Sequence, residues 1–343
     1  MSGLYERLAG LEVEVDAVSF DRLEFPTVRW VRVTTVVAID GGGHRGFGED
    51  VSYATPDQDA HQRMDPPKLS GRRTLAEWSD VLDATNLIPV PPSVKEARDY
   101  RRWAYESALL DLALRQNDLS FARALGREAK PVRFCVSPTG DPQRVLDLYP
   151  DMEVKIDAQS TWTTEDMRHL AATGRVRVVD LKGHYSGDWN AHPDDPPAFA
   201  AAVADAFPDA IIEDPMLGEA MTTVIARHGS RMSFDAPVHS LADLLVLPPT
   251  WWCNIKPSRF ATTRRLLECV DHCEQHGIHM YGGGQFELGP GRRQIQAVAA
   301  TLFPDGPNDV APGAYNAAEL AVGLPSSPLT TASGIGLDGD IGQ

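Results

Sequence analysis

The sequence predicts an α/β protein in which a closed barrel of parallel strands follows an antiparallel, strand-rich segment. From about residue 130 onward, short β-branched runs alternate with helical stretches, whereas before it long runs of alternating apolar residues meet at a glycine turn. In addition, the later β-rich runs end one after another in an ionisable side chain.

The antiparallel part is read from "LEVEVDAV", then "TVRWVRVTTVVAID" with its period of two, then the turn "GGGH" and the short "RGFGED", together a hairpin-rich sheet. "DYRRWAYESALLDLALRQ" places Trp103, Ala104, Ser107, Ala108, Leu110, Leu112 and Leu114 near a 3.6-residue period. That spacing predicts an amphipathic helix of about 17 residues. The parallel part is read from "VRFCVS" (132–137), "MEVKIDA" (152–158), "VRVVDLK" (176–182), "AIIEDP" (210–215), "RMSFDAP" (231–237), "CNIKPS" (253–258) and "HMYGGGQF" (279–286). Seven such runs, alternating with helices like "TTRRLLECVDHCEQHG", suit a closed barrel better than an open sheet.

Composition limits the function. The 343 residues, 43% hydrophobic and 23% charged, describe an ordinary globular chain long enough for one large domain plus a smaller one. No window approaches the ~18 uninterrupted apolar residues of a membrane span, and "MSGLYERLAGLEVEV" lacks the plan of a signal peptide, so a cytoplasmic location is expected. A formal charge of −16 without any basic run argues against nucleic acid as a partner. Any anionic substrate then has to be met by a local cluster of cations or by a metal. Cys135, Cys253, Cys269 and Cys273 do not suggest a disulfide framework, and Cys269 and Cys273, four apart on a helix without a second ligand pair, read as packing rather than zinc ligands.

The strand ends carry the chemistry. In a parallel barrel, side chains at the C-terminal ends of the strands share one mouth. Here those ends hold Lys155 and Asp157, Asp180 and Lys182, Glu213 and Asp214, Asp235, Lys256, and Glu287 just past the last strand. Ionisable groups buried there cost several kcal/mol unless a metal or substrate compensates. Asp180, Glu213 and Asp235 come from neighbouring strands, and three hard oxygen donors suit Mg²⁺ rather than zinc. Such an ion stabilises the dianion formed when a proton α to a carboxylate leaves. Lys155 and Lys256 would then approach the substrate carbon from opposite sides, and a lysine crowded by a cation and another lysine is expected to have its pKa lowered toward neutrality.

The order Lys, Asp, Glu, Asp, Lys on successive strands resembles the enolase superfamily, and within it the muconate-lactonizing subgroup, because the sixth strand ends in "NIKPSRF". The resemblance spans nearly the whole chain. "VVAIDGGGHRGFGED" is similar to the family's capping hairpin, "AYESALLDLALRQNDLSFARALG" to its long helix and following turn, "IIEDP" and "FDAP" to strands four and five, "GGQFELGPGRRQIQAVAATL" to the strand-seven segment, and "TASGIGLD" to the closing segment. It implies a TIM-type (β/α)7β barrel over residues 131–305 beneath an α+β capping domain of residues 1–130, completed by a returning segment, 306–343. It also implies Mg²⁺ ligation by Asp180, Glu213 and Asp235 and acid/base work by Lys155 and Lys256. The activity implied is a lyase or isomerase acting on a small-molecule carboxylate by elimination, epimerisation or cycloisomerisation, in a self-associating protein.

Three departures mark the chain. The family's Lys-x-Lys of strand two reads "EVKID", where period two would turn Glu153, Lys155 and Asp157 to one side. Its Asp-x-Asn of strand three reads Asp180-x-Lys182. Between strands three and four lies "SGDWNAHPDDPPAF" (186–199), either an overhang of the mouth or an ordinary surface insertion. Asp157, Lys182 and Glu287 are therefore candidates for binding or modulating the substrate. An ammonium some 5 Å from Mg²⁺ costs roughly 6–7 kcal/mol at an effective dielectric constant near 20, so Lys182 either receives a substrate carboxylate or neutralises Asp180 and displaces the metal. Two rival readings follow: a Schiff-base lyase using Lys182 or Lys256 as nucleophile, and a non-catalytic barrel with Lys182 in the metal's place.

Other features are weaker. "GGGHRGFG" (41–48) reads as a hairpin turn rather than a phosphate loop, lacking the lysine and the helix that would follow. The amides of "YGGGQFELGPG" (281–291) offer an anion site or simply close glycine packing. His184, His192 and His239 lie past strand ends, as proton carriers or as solvated side chains. Arg32 and Asp21, together with the segment 18–30, and the segment 50–61 fall where the resembling family covers its substrate, so specificity is expected there.

Overall fold

The computed structural model describes residues 3–27, 30–185, 193–330 and 334–337. His192, the first half of the 186–199 loop and residues 331–333 and 338 of "TASGIGLD" lie outside the described residues. Five strands come first: β1 (Glu12–Val15), β2 (Ala17–Pro26), β3 (Val31–Gly41), β4 (His44–Asp50) and β5 (Gly71–Thr74). β2, β3 and β4 form an antiparallel sheet in that order, and β1 pairs with β5.

The long helix, Ala97–Gln116, lies against β4. A side chain is impossible where they cross: a Cβ on Gly48 would stand 1.9 Å from the Ala104 carbonyl oxygen. The segment "RGFGED" therefore carries glycines for close approach, a separate matter from the turn at 42–43. Amphipathicity was the expectation for this helix, yet fifteen of its 20 residues are buried. Helix Leu75–Asp83 and the barrel segments Pro257–Phe260 and Thr263–His276 also pack on it, so even Arg101, Glu106 and Asp111 are enclosed and held by hydrogen bonds.

The barrel strands are β6 (Val154–Asp157), β7 (Val176–Asp180), β8 (Ile211–Glu213), β9 (Met232–Phe234), β10 (Trp252–Ile255) and β11 (His279–Gly282), all parallel and paired in sequence order. The sequence predicts seven; "VRFCVS" contributes isolated bridges instead. Its Val132 pairs antiparallel with Leu329 while Phe134 and Val136 bridge in parallel to Asn308 and Val154, so its backbone is divided among partners. With a further bridge between Gly283 and Asp309, the two edges of the six-stranded sheet are linked through 134–136 and 308–309.

Period two places the inner residues. Val178, Ile211 and Tyr281 form a small apolar cluster, and two residues beyond the first two, on the same faces, come Asp180 and Glu213. The apolar floor and the acidic rim thus follow from one alternation. At the tail, Gly336 bridges to Ser120 and the Leu337 N–H donates to Asp111 at 2.7 Å. Among the described residues, no helix is long and apolar enough to cross a membrane.

Candidate active site

β7, β8 and the residue after β9 deliver Asp180, Glu213 and Asp235, and one carboxylate oxygen from each lies within 4.8 Å of the others. A lysine meets every one of them. Lys155, from β6, puts Nζ 2.8 and 2.6 Å from the two Glu213 oxygens and 3.7 Å from Asp180 Oδ2. Lys256, just past β10, reaches Asp235 Oδ2 at 2.8 Å. Lys182 Nζ lies 2.5 Å from Asp180 Oδ2 and 3.1 Å from Asp157 Oδ1. Lys155 and Lys256 are buried, whereas the Lys182 side chain is 22% exposed and that of Asp157 48%.

Lys182 is turned inward by its backbone. Its φ of 52° is a left-handed conformation unusual for a side chain of this size, and it lets the Lys182 N–H donate to Asp180 Oδ1 at 2.8 Å while Nζ takes Oδ2. Asp214 also has a positive φ, 50°, and its carboxylate turns aside to accept from the Asp235 and Ala236 N–H groups at 2.7 and 3.0 Å. One member of the "EDP" pair therefore enters the cluster and the other fixes the start of the loop that carries Asp235.

Three members escaped the sequence reading. Asn254 donates to Glu213 Oε1 at 2.9 Å; its position two residues before Lys256 was the available signal. Arg259 places Nη2 3.2 Å from Asp235 Oδ2 and donates to the Tyr185 hydroxyl at 2.9 Å. Its approach depends on the 3₁₀ turn Pro257–Phe260, which no strand periodicity reveals. Tyr185 follows Lys182 through the same tight turn.

Electrostatics reverse one expectation. Burial disfavours the Lys155 ammonium, but Glu213 and Asp180 outweigh it and hold its pKa well above the ordinary value. Lys256 behaves likewise, with burial opposed by Asp235. Neither lysine is drawn toward neutrality by this set of groups, because each faces a carboxylate at contact distance. Burial also acts on the acids: Glu213 is pushed up to about 7 despite Lys155, and Asp214 is held well above its ordinary value. Asp180 and Asp235 go the other way, since their cations more than offset the burial.

Several sequence candidates lie elsewhere. Glu153 does not share Lys155's surroundings: a register shift between Val154 and Lys155 breaks the alternation, and Glu153 accepts from Arg133 and Arg177 at 2.7 Å each. Glu287 is buried in its own loop, accepting from the Gln285 N–H at 2.7 Å with Arg292 at 3.3 Å. The amides of 281–291 do hold an anion, but it is the protein's own: Leu288, Gly289 and Gly291 donate to Glu49 of β4 at 2.6, 2.9 and 3.0 Å. Arg32 is enclosed, donating to the carbonyls of Val51, Ser52, Gln285 and Phe286, a strut rather than a free cation. Asp21 is exposed on β2. His239 pairs with Asp99 at 2.8 Å, and His184 packs edge-on to Phe234, so neither is simply solvated. All four cysteines are free and buried.

The donor set fits a divalent cation. Asp180, Glu213 and Asp235 supply hard oxygens, and Asp235 Oδ1 is buried with no hydrogen-bond partner among the described residues. The competing feature is Lys182, already seated on Asp180 Oδ2.

Comparison with known proteins agrees with this architecture. Models of the two parts of one family, described as Domain of unknown function (DUF8230), match residues 6–124 with the N-terminal domain and 128–317 with the C-terminal domain. The chain is 26% identical over 338 residues to an N-succinylamino acid racemase of an Amycolatopsis species, covering 91% of this chain and 87% of that protein. Similar solved structures include muconate cycloisomerase from Pseudomonas fluorescens, at 17% identity, a TM-score of 0.65 and 87% of both chains. Another is dipeptide epimerase from Methylococcus capsulatus complexed with Mg and the dipeptide L-Arg-D-Lys, at 18% identity and a TM-score of 0.66, covering 90% of this chain and 93% of that one. With these similarities and the ordered acids and lysines of its barrel, the chain belongs to the DUF8230 family and is a divergent, muconate-lactonizing-enzyme-like member of the enolase superfamily.

Proposed function

We propose that the protein removes a proton α to the carboxylate of a small molecule and returns one to the same carbon, a racemisation or epimerisation. Lys155 and Lys256 are the acid/base pair in this reading, and Asp180, Glu213 and Asp235 the ligands of a divalent cation, Mg²⁺ first among candidates. One observation carries it: Lys155 on β6 and Lys256 past β10 flank the three carboxylates of the intervening strands, so a substrate over the acids has an amine on either side. The barrel is read as (β/α)7β, with the bridged segments 134–136 and 308–309 closing it between β6 and β11, residues 1–130 as cap, and the 306–343 segment returning to that cap at Gly336 and Leu337.

The chain's own groups divide the work. Glu213 and Asn254 hold the Lys155 side of the cluster, while Asp235, shared with Arg259, orients Lys256 Nζ. The deprotonated amine of one lysine accepts the α-proton, and the ammonium of the other donates from the opposite face. When bound, the cation supplies positive charge that stabilises the developing dianion and opposes the adjacent ammonium charges, freeing a lysine to act as base. N-acylated amino acids and dipeptides are the favoured substrate class, supported by the racemase relative and the dipeptide-bearing neighbour.

The test is a carboxylate library of acyl-amino acids, dipeptides and sugar acids in D₂O with Mg²⁺, followed by loss of the α-proton signal in NMR. Exchange should occur with wild type and fall by about 10²–10⁴ in Lys155→Ala and Lys256→Ala; exchange surviving both substitutions refutes the assignment. One observation favours a second reading, a barrel without catalysis: Lys182 seated on Asp180. Any turnover in the same assay excludes it. A Schiff-base route is poorly supported, since Lys182 and Lys256 each face a carboxylate that favours the ammonium form.

A further inference from the structure

We infer that Lys182 is a two-position ammonium that controls access of a divalent cation to the acidic cluster, resting on Asp180 when the cation is absent and on Asp157 when it is present. The inference rests on the metal reading above. Lys182 Nζ already touches both acids, at 2.5 Å from Asp180 Oδ2 and 3.1 Å from Asp157 Oδ1, so transfer needs only a small rotation of a flexible side chain. The two acids are unlike. Asp180 is wholly buried and belongs to the set of oxygens within 4.8 Å, whereas Asp157 is about half exposed and stands outside that set. An ammonium and a divalent cation cannot both occupy Asp180 Oδ2, and the ammonium has a neighbouring carboxylate to go to.

The surroundings support a built device rather than a chance ion pair. The left-handed backbone at Lys182 is a conformation of raised energy, and it sends both the N–H and Nζ of this residue to Asp180. The neighbouring strand positions are complementary: β6 ends in Asp157, paired in register with Asp180, so the second carboxylate is delivered beside the first. Meanwhile Asp235 Oδ1 stays buried and without a hydrogen-bond partner among the described residues, a donor atom that no lysine of the cluster satisfies. Lys155 lies against Glu213 and Asp180, and Lys256 with Arg259 against Asp235, all acids of that set, whereas Lys182 also reaches Asp157 outside it.

The experiment measures Mn²⁺ binding to the metal-free full chain at pH 7.5, by electron paramagnetic resonance of free Mn²⁺ and by calorimetry, in wild type, Lys182→Asn, Asp157→Asn and the double variant. Asn tolerates a left-handed backbone, so Lys182→Asn keeps the turn. Lys182→Asn should bind Mn²⁺ about tenfold more tightly or better, and Asp157→Asn about tenfold more weakly, because Lys182 then loses the carboxylate that draws it off Asp180. In the double variant the loss caused by Asp157→Asn should vanish to within about twofold, which separates a role through Lys182 from a plain loss of negative charge. Equal affinity in wild type and Lys182→Asn, or the same weakening by Asp157→Asn in both backgrounds, overturns the inference and leaves the metal reading standing. Absence of Mn²⁺ binding in every variant, Lys182→Asn included, overturns both.

Discussion

Gly283 and Lys256 share one space. A Cβ on Gly283 would stand 2.7 Å from Lys256 Cε and 3.0 Å from Asn254 Oδ1, so the missing side chain is what lets Lys256 run to Asp235 at 2.8 Å. Gly283→Ala should therefore act as a partial Lys256 deletion. Because Lys256 is held by Asp235 and Asn254 by Glu213, neither can yield without losing a partner. The expected result is an unchanged far-ultraviolet circular dichroism spectrum with α-proton exchange reduced about tenfold or more, a fraction of the full acid/base contribution. Undiminished exchange would show that Lys256 does not use this route.

Lys155 compensates two buried acids, and its removal has a definite sign. Breaking a buried ion pair by deleting one partner costs about 3–5 kcal/mol. Lys155→Met should fall toward the lower end of that range in urea unfolding of the metal-free protein at pH 7. The reason is Glu213, which burial has already pushed up to about 7, so it takes a proton readily once the ammonium is gone. Lys155→Met/Glu213→Gln should recover more than half of the loss, since it removes the stranded charge. If the double variant is as unstable as the single one, the pairing at 2.6 Å is not what stabilises this part of the barrel.

These relationships differ in how far sequence revealed them. The acids and lysines were legible because each sits at the end of an apolar strand, where period two and the barrel's common mouth bring residues from distant positions together: Asp180 and Glu213 pair in register although 33 residues separate them in number. Arg259 and Tyr185 were not, because each arrives through a 3₁₀ turn or a left-handed residue rather than along a strand, and Asp214, legible as a strand-end acid, is turned aside by its own left-handed backbone. Glu153 was misjudged for the same kind of reason, a local register shift that periodicity does not announce. The cap's glycines were read as turn residues, and the helix backbone that demands Gly48 comes from 56 positions later in the chain. The count of strands failed where "VRFCVS" divides its backbone among several partners.

The cap contains a buried network with its own pH response. Asp50 Oδ2 accepts from Arg101 Nε at 2.8 Å and lies 2.9 Å from His61 Nδ1, while His61 Nε2 is 3.0 Å from the Tyr105 hydroxyl. A neutral imidazole satisfies both contacts, donating from Nδ1 and accepting at Nε2. Burial lowers the pKa of His61 below its ordinary 6.5, with the Arg101 charge helping and Asp50 opposing. The unfolded chain then binds a proton at a higher pH than the folded one, so stability is complete above about pH 6.5 and declines as pH falls toward the lowered folded value. The contribution of one such group is at most about 1.4 kcal/mol per pH unit. Asp50 is held low by His61 and Arg101 against its burial, so its share is present above an unfolded value of about 3.9 and is lost only in stronger acid. His61→Gln should therefore be less stable at pH 7 and show a shallower loss between pH 6.5 and 5 in parallel urea titrations. A slope equal to wild type would mean that His61 takes up its proton without penalty in the fold.

Glu49 ties the cap to the barrel loop that follows β11. Its buried carboxylate receives the N–H groups of Leu288, Gly289 and Gly291. Burial raises its pKa, a sign that the negative charge itself is held at some cost. Removing the acceptor and removing the charge should consequently differ. Glu49→Ala strands three donors, that of Gly291 buried and those of Leu288 and Gly289 partly so, and should lower stability by about 3 kcal/mol, whereas Glu49→Gln keeps an oxygen that can accept and should lose about half as much. Amide hydrogen exchange locates the effect: protection of residues 288, 289 and 291 should fall in Glu49→Ala ahead of the barrel strands, because the loop can open while β6–β11 stay paired. Gly283 and Lys256 adjoin the start of this loop, so α-proton exchange should drop with the same variant order. Loss of activity in Glu49→Ala with full protection of those three amides would separate the loop's clamp from the chemistry and place Glu49's influence elsewhere in the cap.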